Sequence, residues 1–306
     1  MRKPLVAALF ALVIAGAGVA PAVAAPVTTD GATTKTAVMK AATTVAATTK
    51  AAATKTSAAP AIQAVNFAGT VSLSNCSGSV IRFPNSEDND PALVMTNGHC
   101  LETGFPEPGE VIVDQASSRT FGLLNASATR VGTLRASKVA YSTMTDTDVT
   151  IYQLTRTYEQ IKSSYGISAL TLADTHPVAG TAITVVSGYW KRTYACNIDG
   201  FVYRLKEGDW TWKDSLRYTS ACQTIGGTSG SPVIDNATGK VVAVNNTGNE
   251  DGERCTENNP CEVDANGNVT VREGTNYAEE TYQIVPCFGI DNKLDLSRTG
   301  CTLPKP

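Results

Sequence analysis

Short runs of apolar and β-branched residues recur along the chain after residue 68, with Gly, Pro, Asn and Asp between them. Valine, isoleucine, threonine and tyrosine dominate these runs, a composition typical of half-buried strands. Many short strands without alternating helices predict an all-β barrel or sandwich. The predicted strands are Gly69–Leu73, Ser79–Phe83, Ala92–Thr96, Val111–Val113, Val149–Tyr152, Ala182–Val186, Val241–Val244 and Tyr282–Val285.

Two further elements follow from the pattern. Residues Val263 to Val271 surround Asn266-Gly267, which predicts a hairpin. The segment Asp264–Asn268 has some calcium-loop residues, but its glycine is misplaced and no glutamate stands at the twelfth position, which favours a hairpin turn. A single short helix is predicted near Thr157 to Ser164.

The N-terminus has the pattern of an export signal. Arg2 and Lys3 precede an apolar stretch, Leu5 to Val19, and Ala22-Val23-Ala24 fits a cleavage site. The sequence therefore predicts a signal peptide at residues 1–24 and a secreted protein. A retained membrane anchor is the alternative, but the apolar stretch is short of the roughly 20 residues that a span needs.

The next segment, residues 25–62, consists almost entirely of Ala, Thr and Lys. It has too little apolar surface to offset the entropy of ordering, so we expect a spacer or a short pro-segment. A tether to the cell envelope is a further possibility for it. Residues 63–306 are long enough for one large domain with its own core.

Charge and periodicity limit the partners. The formal net charge is −3, and residues 1–62 are net positive, so the remaining domain is more acidic than the whole chain. An acidic domain argues against a nucleic-acid partner. Without another long apolar run, we expect no membrane association of the mature form. Without a long amphipathic helix or a heptad pattern, we expect a monomer.

The cysteines indicate disulfide bonds. All eight lie after residue 75, and an even number in an exported chain is typical of disulfides, with 105 possible pairings. No Cys-x2-Cys pair occurs, and the histidines are not grouped with the cysteines, so we expect no metal site.

Three motifs carry candidate chemistry for acyl transfer. His99 stands in Thr96-Asn97-Gly98-His99-Cys100, Asp148 heads the run to Leu154, and Ser229 lies in Gly227-Thr228-Ser229-Gly230-Ser231-Pro232. A base, a carboxylate that orients it and a nucleophile are the groups that this chemistry requires.

Their order excludes two other hydrolase classes. An α/β-hydrolase places its histidine after the serine, but both histidines of this chain, His99 and His176, precede Ser229. The subtilisin order would need an acid before His99 and would leave Asp148 without a role. His176, followed by Pro177, is interpreted as an ordinary residue of a surface turn. Asp146 is the rival of Asp148, but it does not directly precede the apolar run.

Together the motifs resemble the chymotrypsin-like (trypsin-like) serine endopeptidases, in particular their secreted bacterial branch, over roughly residues 64 to 290. The resemblance implies two six-stranded antiparallel β-barrels with the active site in the cleft between them. His99 and Asp148 would come from the first barrel and Ser229 from the second. It also implies peptide hydrolysis through an acyl-enzyme with no metal or organic cofactor, and an oxyanion hole made by the N–H groups of Gly227 and Ser229.

The resemblance also bears on cysteine pairing and on activation. It implies a Cys76–Cys100 bridge beside the histidine, and proximity then suggests Cys196–Cys222, Cys255–Cys261 and Cys287–Cys301. Animal members of the family usually have aspartate where this chain has Thr228, and that aspartate pairs with a newly cut N-terminus. Threonine cannot form this ion pair, so we expect no activation by N-terminal insertion and an oxyanion loop held by local hydrogen bonds.

The spacing of the motifs also predicts the residues of the substrate pocket. Spacing from Ser229 places the floor of the primary pocket at Gln223 and Thr224 and its wall at Asn245 and Asn246. These side chains predict a polar, uncharged pocket for protein or peptide substrates. An esterase on the same fold and a catalytically silent binding protein are the competing functions.

Overall fold

A computed structural model describes residues 64–306, and within them strands dominate. The predicted signal peptide (residues 1–24) and spacer (residues 25–62) lie outside the described residues. The strands are β1 Thr70–Ser72, β2 Ser77–Arg82, β3 Pro91–Thr96, β4 Val111–Ala116, β5 Thr120–Leu124, β6 Arg130–Thr143, β7 Val149–Thr157, β8 Leu170–Thr171, β9 Ala182–Ser187, β10 Arg192–Glu207, β11 Trp210–Tyr218, β12 Pro232–Asp235, β13 Val241–Gly248, β14 Cys261–Val263, β15 Val269–Val271 and β16 Asn276–Glu280. The helices are α1 Tyr158–Tyr165 and three 3-10 turns, Gly98–Cys100, Val285–Cys287 and Ile290–Asn292.

The first sheet closes on itself. Its strands follow the order β1-β5-β6-β7-β3-β2, and antiparallel pairing of β1 with β2 completes a six-stranded barrel. β4 pairs with β6 at the side, and short β8 runs parallel to β2. Alternate side chains fill the interior, where Val71, Val80, Val94, Phe121 and Tyr152 are fully buried.

The second sheet forms a ring in the same way. Its order is β11-β16-β13-β12-β9-β10, and β10 pairs back onto β11. The β14–β15 hairpin extends from the outer part of β10. The predicted all-β fold with two antiparallel six-stranded barrels is confirmed.

The helix lies where the sequence predicts it. Thr157 caps α1 by accepting the N–H of Gln160, and the Gln160 side chain accepts the N–H of Thr157 in return. Gly166 ends the helix in the left-handed region at φ 68°, which glycine adopts without strain.

One predicted strand is wrong. Tyr282 to Val285 forms a turn in which the Ile284 N–H donates to the carbonyl of Thr281 at 3.0 Å. Pro286 follows inside a 3-10 turn, and a proline has no N–H to give to a strand ladder. The strand lies immediately before, as β16. By contrast, the hairpin predicted between Val263 and Val271 is present as β14 and β15.

Four disulfides connect the cysteines in the pairs named above: Cys76–Cys100, Cys196–Cys222, Cys255–Cys261 and Cys287–Cys301. Disulfides persist in oxidising compartments. Across residues 64–306, no helix has the length and apolar character to cross a membrane.

Candidate active site

His99 sits in a 3-10 turn directly after β3, next to the disulfide of Cys100. The preceding Gly98 is required by close packing. A Cβ at that position would lie 2.3 Å from the carbonyl oxygen of Thr143 and 2.9 Å from Oδ1 of Asp148. Glycine therefore lets the turn that carries His99 pack against Asp148, which directly precedes β7.

His99 and Asp148 form a doubly hydrogen-bonded pair. Nδ1 of His99 lies 2.7 Å from Oδ2 of Asp148, and the His99 backbone N–H donates to Oδ1 at 3.1 Å. The Asp148 side chain is fully buried, whereas the imidazole is 20% exposed. A carboxylate can only accept at this position, so Nδ1 carries the proton and Nε2 presents its lone pair to the outside of the pair.

The surroundings adjust the basicity of the imidazole. Burial lowers the pKa of His99, but the charge of Asp148 and its hydrogen bond raise it, and Glu207 adds to them. The net pKa lies above the ordinary value of 6.5. The imidazole is thus a stronger base than free histidine, and its neutral form appears at a higher pH.

Asp146 has a different environment from Asp148. Its backbone adopts φ 60°, and its side chain, 38% exposed, pairs with Lys213 on β11. The structure therefore brings Asp148, and not Asp146, to the imidazole of His99.

Ser229 is held by both sheets at once. Its carbonyl accepts the N–H of Ser77 on β2 at 2.8 Å, and the next residue, Gly230, donates its N–H to Asn245 on β13 at 2.9 Å. Gly230 has φ 80°, and a Cβ there would lie 2.1 Å from the carbonyl oxygen of Ser77 and 2.2 Å from Oγ1 of Thr96. Only glycine allows this approach, which fixes the serine at the junction of the two sheets.

The hydroxyl of Ser229 shares a cavity with His99. This cavity is lined by His99, Phe105 and Met144 from the first barrel and by residues that include Asn245 and Asn246 from the second. Ser229 Oγ donates to the carbonyl of Asn246 at a long 3.3 Å, and within residues 64–306 no hydrogen bond joins it to His99. Catalytic hydrogen bonds are often long or absent without substrate, and rotation about one side-chain bond re-aims the hydroxyl.

The turn before Ser229 leaves two donors free. Gly227 adopts φ 87°, and among the described residues neither its N–H nor that of Ser229 meets an acceptor. Thr228 stabilises this turn by three hydrogen bonds. Its N–H and Oγ1 donate to the carbonyl of Ile225 at 3.0 and 2.5 Å, and its Oγ1 accepts from Nδ2 of Asn245 at 3.2 Å. Local hydrogen bonds thus hold this turn at Thr228.

Three of the four residues expected to form the pocket line this cavity: Thr224, Asn245 and Asn246. Gln223 does not. It is exposed, and its side-chain amide donates to the carbonyls of Ser220 and Gly274 at 3.0 and 3.2 Å. Asn276, on β16, takes a place in the lining instead and accepts the hydroxyl of Thr224 at 2.7 Å.

Several lining residues were not found from the sequence. Glu207, at the end of β10, is 8% exposed and accepts the N–H of Asn258 at 2.8 Å. Burial raises the pKa of its carboxyl. Phe105 lies edge-on between the rings of His99 and Trp210, 5.8 Å from each. These residues come from loops and strand ends, and no local sequence pattern places them beside His99.

The profile of the trypsin-like peptidase domain family matches residues 76–244, more than half of the chain. No curated protein sequence matches the chain significantly.

Solved structures give distant matches. The active form of the Rv3671c protease from M. tuberculosis is 16% identical, with 79% of this chain and 85% of that chain covered and a TM-score of 0.45. The MamO protease domain from Magnetospirillum magneticum is 14% identical, with coverage of 72% and 95% and a TM-score of 0.44. A chymotrypsin from Cellulomonas bogoriensis is 12% identical, with coverage of 72% and 93% and a TM-score of 0.40.

Proposed function

Because the chain belongs to the trypsin-like peptidase domain family and is a serine peptidase, we propose that it is a secreted endopeptidase whose triad is Ser229, His99 and Asp148. The observation that carries this proposal is the 2.7 Å contact between Nδ1 of His99 and the buried carboxylate of Asp148, because His99 also lines the cavity that holds Ser229. A fixed base beside a hydroxyl is the arrangement that activates serine.

The first half of the reaction forms an acyl-enzyme. Ser229 Oγ leaves the carbonyl of Asn246, attacks the scissile carbonyl carbon and gives its proton to Nε2 of His99. Asp148 stabilises the imidazolium, and the N–H groups of Gly227 and Ser229 hold the oxyanion. The tetrahedral intermediate collapses when His99 returns the proton to the leaving amine, and the acyl group stays on Oγ.

The second half reverses these roles. A water enters where the amine left, and Nε2 of His99 takes its proton as the oxygen attacks the ester carbonyl. The oxyanion returns to the same two N–H groups. His99 then protonates Oγ of Ser229, which releases the carboxylic acid and restores the free enzyme.

The substrates are proteins or peptides. The sequence predicts an uncharged pocket, but the cavity favours a basic side chain beside the scissile bond. Its lining includes the carboxylates of Glu207, Glu250 and Glu257, and none of its described lining residues is lysine or arginine. A substrate cation would offset the cost of the buried Glu207 carboxylate. The amides of Asn245, Asn246 and Asn276 remain as uncharged hydrogen-bonding groups of the inner pocket. The four disulfides support secretion, where such bonds persist.

Hydrolysis of labelled casein by the purified, disulfide-intact protein tests the proposal. We expect wild-type protein to release peptides and Ser229→Ala to lose this activity. The matched control is Ser231→Ala, since Ser231 is a buried serine two residues away whose hydroxyl has no partner among the described residues. Equal activity of wild type and Ser229→Ala would contradict the assigned nucleophile, and hydrolysis of simple esters without casein cleavage would indicate an esterase.

A further inference from the structure

A second group of polar side chains converges outside the cavity that holds Ser229. His176 lies in the segment between β8 and β9, Asp214 is on β11, and Glu280 ends β16. Nε2 of His176 is 3.1 Å from Oδ2 of Asp214 and 3.2 Å from Oε1 of Glu280. We call these three residues the His176 cluster.

Glu280 is the unusual member of the cluster. Its side chain is fully buried, and no group among residues 64–306 donates a hydrogen bond to either carboxylate oxygen. Among the described residues, the one basic side chain within 4 Å of its carboxyl group is that of His176. An uncompensated buried carboxylate is costly, and a second carboxylate beside it raises that cost. A cation placed between the carboxyl groups of Glu280 and Asp214 would give both groups a partner.

The orientation of the imidazole also favours a cation at this point. Nδ1 of His176 lies 2.6 Å from the carbonyl oxygen of Pro177, which can only accept, so Nδ1 carries the proton. In neutral histidine Nε2 then presents a lone pair toward the oxygens of Asp214 and Glu280. Three acceptors face the same point. A histidine that donates its other N–H to a backbone carbonyl is the usual arrangement of a metal ligand.

Neighbouring groups hold the ligand atoms in place. The hydroxyl of Tyr282 donates to Oδ2 of Asp214 at 3.2 Å. The rings of Phe201 and Tyr282 pack against the imidazole, with centroids 4.4 and 5.2 Å away. Such outer contacts fix ligand orientation and are typical of built metal sites.

We propose that the His176 cluster binds one zinc ion through Nε2 of His176, Oδ2 of Asp214 and Oε1 of Glu280. A tetrahedral ion with bonds of 2.0–2.1 Å separates its ligands by about 3.3 Å, close to the two distances found here. An imidazole ligand favours zinc over calcium or magnesium, which prefer oxygen donors only. His176 and Asp214 are each more than a third exposed, which leaves room for water as the fourth ligand.

The proposed zinc would connect parts of the fold that are distant in sequence. β8 pairs with the first sheet and β9 with the second, so His176 lies on the connection between the barrels. Asp214 and Glu280 belong to the second barrel. The ion would therefore fasten this connection to the second barrel, a structural role separate from the reaction at Ser229. This differs from the expectation, made from the sequence, that no metal is bound and that His176 is an ordinary turn residue.

Zinc binding to the intact, disulfide-bonded protein tests the proposal. The protein carries Ser229→Ala to prevent self-digestion, is freed of metal with a chelator, and is titrated with zinc chloride by calorimetry. We expect one zinc per chain and a higher melting temperature with zinc. Glu280→Gln and His176→Asn should each weaken binding by at least about 100-fold, because each removes a ligand.

Two controls make the result specific. Asp174→Asn changes an exposed carboxylate in the same segment, which pairs with Lys240, and should bind zinc as tightly as the parent. His99→Ala should also bind zinc normally, because the active-site histidine is not in the cluster. Circular dichroism checks folding, and the exposed position of His176 keeps its variant informative if Glu280→Gln is unstable.

Three outcomes of the zinc titration would contradict the proposed site. No zinc uptake by the folded parent would overturn the proposal. Unchanged affinity in both Glu280→Gln and His176→Asn, or loss of binding in His99→Ala alone, would place the zinc elsewhere. Tighter binding of calcium chloride than of zinc chloride would refute the assigned metal.

Discussion

Asp148→Asn is the substitution whose outcome the geometry defines most closely. Asp148 Oδ1 accepts the backbone N–H of His99, so an asparagine must keep its carbonyl oxygen at that position. Its NH2 group then faces Nδ1 of His99 at the place of Oδ2. Two donors cannot face each other, so the imidazole shifts its proton from Nδ1 to Nε2. In that form His99 has no lone pair for the proton of Ser229.

The expected loss is large because the substitution removes the base and not only a charge. The same tautomer error in a serine protease triad costs about 10⁴ in rate, which corresponds to about 5.4 kcal/mol of transition-state stabilisation. The fold should change little, since asparagine has the same shape and Asp148 is held at its backbone carbonyl by Nδ2 of Asn97 at 2.9 Å.

The assay is kcat/KM for labelled casein near neutral pH, with melting temperature as the check on folding. Asp146→Asn is the matched control, because it neutralises a carboxylate two residues away that pairs with Lys213 on the surface. We expect that control to stay within a few-fold of wild type. A loss below tenfold in Asp148→Asn, or an equal loss in both variants, would refute the triad assignment.

Three further predictions follow from the same site. The rising limb of the pH profile of kcat/KM should lie above pH 6.5, because the pKa of His99 is raised and only its neutral form is a base. Glu207→Gln should move the limb to lower pH, because the charge of Glu207 contributes to the raised pKa of His99. The same variant should reduce cleavage beside basic residues about tenfold. A limb below pH 6 or unchanged selectivity would contradict this. The double variant Cys76→Ala/Cys100→Ala opens a loop with a sequence separation of 24 and should lower the free energy of unfolding by about 3.5 kcal/mol in denaturant titration; a loss under 1 kcal/mol would not fit. Since Thr228 is held locally, chains that start at different residues within the spacer should hydrolyse casein at equal rates, whereas a rise of orders of magnitude for one defined N-terminus would refute this.

The sequence predicts those parts of the site that depend on local motifs. The glycines around Ser229 and before His99 lie in turns where a Cβ would collide with a neighbouring backbone carbonyl, as at Gly98 and Gly230. The apolar alternation after Asp148 distinguishes it from Asp146. These signals lie within a few residues of each reacting group, and their order along the chain excludes other hydrolase classes.

The parts that the sequence does not predict depend on contacts between distant residues. β16 carries Glu279 and Glu280, both buried, and two adjacent glutamates do not resemble a central strand. Ser215 and Asn246 donate to Oε1 of Glu279 at 2.9 and 3.1 Å, partners 64 and 33 residues away. Glu207, at the end of β10, likewise lies in the cavity through contacts with residues distant in the sequence. Only the folded sheets bring these groups together.

The central claim, that His99 activates Ser229, is tested most directly by covalent labelling. The purified protein is treated with a fluorophosphonate, digested and mapped by peptide mass spectrometry, with Ser229→Ala and His99→Ala in parallel. The account predicts one adduct per chain on the peptide that contains Ser229, none in Ser229→Ala, and far slower labelling in His99→Ala. No adduct on the folded, disulfide-intact protein, or an adduct on another serine, would contradict it.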